Sequence, residues 1–248
     1  MNLPAVASRN EWLEARKELL AAEKLETRAR DVLNTRRRNL PMVHIDTTYK
    51  FEGPDGEVDL LTLFGASRQL IVQHFMFHPD WTDGCPSCTA SLEEVSEATF
   101  AHLEARDTTY VAIARAPFAK LDAYRIRRGW PRPIYSSFGS DFNYDFGVTI
   151  DASRAPVMFN FRGPEELKAT GFEWILDTDS QPMEQPGVSC FLRVGDDIYH
   201  TYSTYGRGTE LAVGGYPLLD LTALGRQEEW EEPKGRVVHA RPAQPDFA

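Results

Sequence analysis

The amino-acid sequence predicts a mixed α/β domain preceded by a helical arm. Three observations carry that expectation: one long amphipathic stripe before Pro41, alternating strand and helix patterns over residues 69–128, and two β-rich runs joined by Gly195-Asp196-Asp197.

The arm comes first. Ser8-Arg9-Asn10-Glu11 has the S-x-x-E form of a capping box, in which hydroxyl and carboxylate satisfy the free N–H groups of a helix start. Trp12, Leu13, Leu19, Leu20, Leu25, Ala29, Val32 and Leu33 then recur at helical spacings, one stripe lasting until about Asn34. Such a stripe needs a surface to cover, either the main domain or a second subunit, so a homodimer through this helix is one expected assembly. Arg28, Arg30, Arg36, Arg37 and Arg38 read as a solvated helix end favoured by the C-terminal dipole. A formal net charge of −10 opposes a nucleic-acid partner. Pro41 closes the arm, which assigns residues 1–40 to it and 41–248 to one domain.

Within the domain, Tyr49-Lys50-Phe51 and Val58-Asp59-Leu60 flank the turn Gly53-Pro54-Asp55-Gly56, which predicts an added β-hairpin. Residues 69–77 are almost continuously apolar, as a central strand buried on both faces requires. After the turn at Asp83-Gly84, Leu92, Val95, Thr99 and Leu103 mark one helix ending near Arg106. Residues 108–114 are β-rich, and Pro117 suits the first position of a helix reaching about Arg128. Residues 129–187 form an irregular aromatic insertion with a short helix opening at Pro164-Glu165-Glu166. Residues 188–194 and 198–205 make a second hairpin, and a last segment carries Leu218, Leu219, Leu221 and Leu224. Without the additions the order is β-α-β-α, then β-β-α. That is the thioredoxin plan.

Hydrophobic residues make up 42% of the chain and charged residues 26%, an ordinary globular balance. No apolar run approaches the roughly 20 residues that cross a bilayer. Met1-Asn2-Leu3-Pro4 lacks the basic start and apolar stretch of a secretory signal, so the expected location is the cytoplasm, with no membrane partner. Three cysteines are too few for a structural framework, and in a reducing compartment the pair Cys85-Pro86-Ser87-Cys88 points to redox chemistry.

The chemistry follows from position. A thiolate is the nucleophile of disulfide exchange, and Cys85 is expected at the first turn of a helix, where free N–H groups favour the anion. Cys88 lies one turn later on the same side and resolves the mixed disulfide. Pro86 stiffens the turn without costing a hydrogen bond, and the intervening pair Pro86-Ser87 influences redox poise. Cys190 falls in an apolar strand and reads as a small core residue. Half of a zinc site and two packed, inert cysteines are the competing readings of the pair, but no second C-x-x-C exists and the glycine turn before the pair argues for accessibility.

Three further groups stand near this motif. His74, Met76 and His78 alternate with Phe75 and Phe77; they offer a soft-metal site on one strand face, against the plainer reading of a core face. Thr82 nearly reproduces the peroxiredoxin P-x-x-x-T-x-x-C spacing, but Pro79 is one residue too close. Thr82 with Arg115 would suit a peroxide; the plainer reading is a turn threonine and a solvated arginine. Phe138, Phe142, Tyr144 and Phe146 crowd around Asp141, Asn143 and Asp145. With His200 and Tyr202 they either wall a pocket beside Cys85 or seal a small core.

Trp12 to Lys24, Phe75-Met76-Phe77, Pro79-Asp80-Trp81, Gly84-Cys85-Pro86-Ser87-Cys88 and Arg115-Ala116-Pro117 resemble the DUF899 proteins. So do the segments from Ser136 to Phe146 and from His200 to Tyr205. The resemblance spans nearly the whole chain and implies a thioredoxin-like fold with a cysteine-pair function. Members are bacterial proteins often described as predicted dithiol–disulfide oxidoreductases. Two features depart from thioredoxin itself: Pro186-Gly187 stands near the place of its substrate-binding cis-proline, and Gly84 replaces the tryptophan before its first cysteine. The expected activity is thiol–disulfide exchange on a disulfide substrate, with a thiol electron donor and no cofactor. A thiol peroxidase acting on peroxide, and a non-enzymatic metal-binding or redox-sensing protein, are the alternatives.

Overall fold

The computed structural model describes residues 3–212, 221, 228–230, 232, 234, 235 and 237–240. Leu218, Leu219 and Leu224 of the expected last segment lie outside them, while Leu221 is exposed. The chain divides into two compact units, one holding residues up to Met42 and the other beginning at Val43.

In the first unit, helix α1 (Arg9–Arg38) starts at the capping box. The Glu11 N–H donates to Ser8 Oγ at 3.3 Å, and the Ser8 N–H donates to Glu11 Oε2 at 2.8 Å. The helix continues past Asn34 through Arg36, Arg37 and Arg38, whose charges suit its C-terminal end. It buries no residue: Trp12, Leu13, Leu19, Leu20, Leu25, Val32 and Leu33 are all exposed. No helix among the described residues is long and apolar enough to cross a membrane.

The second unit is built on an eight-stranded sheet. Its strands are β1 (Val43–His44), β2 (Lys50–Gly53), β3 (Gly56–Asp59), β4 (Gln69–His74), β5 (Thr108–Ala114), β6 (Ile134–Ser136), β9 (Gly187–Val194) and β10 (Asp197–Tyr205). Two short strands, β7 (Thr149–Ile150) and β8 (Met183–Glu184), pair apart from it. The order is β1-β10-β9-β4-β5-β6-β2-β3. β4 and β5 are parallel, β9 is antiparallel to β4, and β10 is antiparallel to β9. That quartet, β10-β9-β4-β5, is a thioredoxin-like core; β6 and the β2–β3 hairpin widen it on the β5 side.

Helices α2 (Leu60–Leu63), α3 (Pro86–Glu93), α4 (Glu97–Glu104), α5 (Phe118–Arg128), α6 (Phe142–Asp145) and α7 (Pro164–Ala169) complete the unit. Strand alternation sorts the core onto two faces. Leu70, Val72 and Ile113 pack with Phe51, Phe64, Phe142, Phe146 and Phe191. On the other face Ala112, Ala114 and Ile134 pack with Phe75, Phe77, Cys88, Leu121 and Tyr124. A third, smaller cluster holds Ile150, Phe159, Leu167 and Ile175 within the insertion.

Several elements differ from expectation. The strand expected over residues 69–77 stops at His74, because the Met76 carbonyl is taken by the Cys85 N–H at 3.0 Å. Leu60 opens α2 instead of closing a strand, since Asp59 accepts from the Thr62 N–H at 2.8 Å and caps a helix there. The single helix expected to Arg106 is two: Ser96 Oγ accepts from the Thr99 N–H at 3.2 Å and starts α4 afresh. The insertion, expected to be irregular, supplies β6 to the main sheet.

Candidate active site

Strand β4 delivers the chain to a loop that returns as α3. Lys120 of α5 holds that loop, with Nζ donating to the carbonyls of Pro79 and of Trp81, the latter at 2.9 Å. An ion pair between Arg127 and Asp83 adds a second tether at 2.5 Å. Gly84 is buried where nothing larger fits: a Cβ there would lie 2.4 Å from Cε1 of Phe75. The tryptophan of thioredoxin is therefore sterically excluded at this position.

Cys85 is the N-cap residue of α3, and Pro86 is at the first helical positions. Thr89 anchors the turn; its hydroxyl donates to the Cys85 carbonyl at 3.0 Å and lies 2.8 Å from the Tyr124 hydroxyl. The two sulfurs have opposite surroundings. Cys85 is half-buried, and its thiol ionises at about 6, favoured first by a hydrogen bond from the Cys88 thiol, against the cost of burial. The backbone N–H groups of Cys88 and Ser87 and the Ser87 side chain add to it. Cys88 is 5% exposed, and its pKa is pushed well up because its proton bonds Cys85 and because it is buried. One sulfur is a ready thiolate and the other holds a proton.

Cys190 of β9 is half-buried, and burial raises its thiol to about 11. Thr82 is exposed at a bend, and Trp81 is 38% exposed.

Arg115 corrects the expectation of a solvated arginine. It is 9% exposed, and its Nε donates to Glu184 Oε1 at 2.6 Å. Thr149 Oγ1 donates to the other oxygen of Glu184 at 2.9 Å. Glu184 was not visible as a site residue, since 69 positions of sequence separate it from its partner.

The strand face proposed for a metal is also divided. His74 is 1% exposed, packs against Phe142 and Phe146, and shares a hydrogen bond with Ser189 Oγ at 2.8 Å. His78 instead accepts from the Asp80 N–H at 3.1 Å, and Met76 packs with the cysteine-side core. Among the described residues no three His, Cys, Asp or Glu side chains form a metal-holding group.

The expected pocket residues separate into three places. Arg154 pairs with Asp141 at 2.5 Å and lies over the Tyr144 ring at 4.0 Å; the Tyr144 hydroxyl accepts from Arg115 at 3.4 Å. Asn143 is buried, its Oδ1 accepting from the Ser137 hydroxyl at 2.7 Å. His200 packs on Phe146 and Phe191 and bonds Ser203 at 2.7 Å, while Tyr202 stands opposite Cys190 in the β9–β10 ladder. Of the two readings of Phe142 and Phe146, pocket wall or core seal, the second holds: they pack in the core on the sheet face opposite the cysteines. The insertion contributes Tyr144 and Asp141 to a charged cluster with Arg115 and Arg154.

A family model described as "Bacterial protein of unknown function (DUF899)" matches residues 1–241. No curated protein matches the chain. Among solved structures, a cysteine-to-serine mutant of Xylella fastidiosa PrxQ is similar at 13% identity, covering 70% of this chain and 92% of that one, with a TM-score of 0.41. The Xanthomonas campestris bacterioferritin comigratory protein, described for its alkyl peroxide reduction activity, is similar at 10% identity. It covers 70% of this chain and 95% of that one, with a TM-score of 0.39.

Proposed function

The chain belongs to the DUF899 family, and on the geometry of its cysteine turn we propose that it is a thiol–disulfide oxidoreductase. The Cys85 thiolate attacks one sulfur of a substrate disulfide; a new S–S bond forms, the substrate S–S bond breaks, and one substrate thiolate leaves. Cys88 then gives up its proton and attacks Cys85 Sγ. The Cys85–Cys88 disulfide forms and the second substrate thiolate departs. The substrate has gained two electrons and the protein has lost two. A thiol donor restores the dithiol by the same exchange in reverse.

One observation carries this reading: the half-buried sulfur is the one whose ionisation is favoured, while the buried sulfur keeps its proton. A nucleophile needs access and negative charge, and a resolving thiol needs to wait. The test is a redox titration of the full chain in glutathione buffers, read by mass spectrometry. Two hydrogens should be lost in one two-electron transition, with Cys190 left reduced. Stepwise gain of oxygen on Cys85 in peroxide, with no Cys85–Cys88 disulfide, would point away from exchange.

A further inference from the structure

The second unit contains a cavity of about 610 Å³ that does not include the cysteines. It opens where the sheet is incomplete. β6 pairs with β5 only over Ala112–Ala114, so among the described residues the edge of β5 before Ala112 carries no strand. The cavity lies along that edge, with Thr109, Tyr110, Val111 and Ala112 in its wall.

Strand geometry fixes what the edge presents. The Ala114 carbonyl accepts from the Ser137 N–H at 2.9 Å on the β6 side. Alternate residues of a strand direct their backbone groups to the same side, so the N–H and C=O of Tyr110 also face that side, into the cavity. They form one donor beside one acceptor. Phe100, Trp130, Tyr135 and the Tyr110 ring supply aromatic surface, and Leu92 and Val95 supply aliphatic surface.

Charges at the rim are already compensated. Glu93 accepts from Arg128 at 2.7 Å and from the Trp130 indole at 3.0 Å. Arg132 bonds Glu97 at 3.2 Å and Glu104 at 3.1 Å, and its guanidinium lies 4.0 Å from the Phe100 ring centre. The Tyr110 hydroxyl is spent on Gln73 at 2.8 Å. With the rim charges already paired, no unpaired side-chain charge among those named invites a charged ligand, whereas a neutral one leaves the pairs intact.

We propose that this cavity binds a small, uncharged, planar aromatic molecule with an amide-like edge, in which a donor adjoins an acceptor. The volume falls in the range of small-molecule sites, about 300–1,000 Å³, and suits a few fused rings. Rings stack among the aromatic walls, and the amide-like edge pairs with Tyr110 as a neighbouring strand would. The ligand also touches the C-terminal end of α3, the helix whose first turn carries the dithiol.

The test uses two fluorescent probes on the full reduced chain. Lumichrome is planar, neutral and has imide edges; N-phenyl-1-naphthylamine is apolar and has no such edge. Lumichrome should bind saturably at one site, at least tenfold more tightly than the naphthylamine. Val95→Trp, which places an indole in the cavity, should weaken lumichrome at least tenfold while the alkylation rate of Cys85 stays unchanged. Tyr135→Ala, on a half-buried wall residue, gives a second variant should Val95→Trp fail to fold, and it should weaken lumichrome likewise. No saturable lumichrome binding, equal or tighter binding of the naphthylamine, or lumichrome binding indifferent to a folded cavity variant overturns the proposal.

Discussion

The N–H of Cys85 donates to the carbonyl of Met76 at 3.0 Å, so the chain leaving β4 itself positions the first cysteine. The bond draws Met76 out of the strand ladder and places Cys85 at the open end of α3. Helix and strand are thus fixed to one another at Cys85.

The alkylation rate of Cys85 should rise with pH about a midpoint near 6, because its thiolate is favoured by the Cys88 thiol and by Ser87. Cys88→Ala removes the largest of these contributions and should move the midpoint up; Ser87→Ala should move it up by less. An unchanged midpoint in Cys88→Ala would show that the buried thiol does not support the anion. Iodoacetamide kinetics across pH 5–9 give both values.

The same ionisation should appear in stability. Cys85 has a lower pKa folded, about 6, than the 9.0 of an unperturbed thiol. Between those values the unfolded chain binds more protons, so the reduced protein should gain stability as pH rises from 6 to 9 and lose that gain as pH falls back through 6. Cys88, raised by its bond to Cys85 and by burial, acts in the opposite sense once the unfolded thiol ionises. Cys85→Ala should flatten the dependence between pH 6 and 9, measured by urea unfolding in a reductant. A slope that persists in Cys85→Ala would assign it to other groups.

Gly84→Ala should cost about 1–3 kcal/mol, because the added Cβ meets the Phe75 ring at 2.4 Å and the surrounding core must shift. Phe75→Leu in the same chain should recover part of that loss. Strictly additive losses in the double variant would mean that the two sites do not touch.

How much of this was visible beforehand depended on whether the signal was local. Ser8 and Glu11 announce α1, residues 108–114 announce β5, and Cys85 with Pro86 announces the turn into α3, all within a few neighbouring positions. Ser96 was hidden because the apolar stripe through Val95 and Thr99 continues helical spacing across it, although its hydroxyl starts a new helix. Ile134-Tyr135-Ser136 is too short to show a strand period, yet it extends the central sheet. Glu184 finds Arg115 only in three dimensions. Phe142 and Phe146 have the same composition in a pocket wall as in a core, and only the fold chooses.

Arg115→Met should destabilise by about 3–5 kcal/mol, because it leaves buried Glu184 without its cation. Burial already raises the Glu184 pKa, so without Arg115 it rises further and the loss should be smaller at low pH, where the carboxyl is neutral. Arg115→Met with Glu184→Leu should be less destabilised than the single variant. A double variant worse than Arg115→Met alone would show that the unpaired Glu184 charge is not what the single variant loses.

Thr82→Val should alter the rate of Cys85 oxidation by peroxide less than about tenfold, since Thr82 is an exposed bend residue. A hundredfold loss, about 2.7 kcal/mol of transition-state stabilisation, would transfer the weight to peroxide chemistry.

The order of the two sulfurs is the central claim, and trapping tests it most directly. Each single variant, Cys85→Ser and Cys88→Ser, is incubated with 5,5′-dithiobis(2-nitrobenzoate) and then a limiting dithiol, and the adduct is located by mass spectrometry of peptides. Cys88→Ser should hold a persistent mixed disulfide on Cys85, while Cys85→Ser should react far more slowly at its buried Cys88. A long-lived adduct on Cys88 in Cys85→Ser, with continued disulfide turnover by Cys88→Ser, would contradict the account.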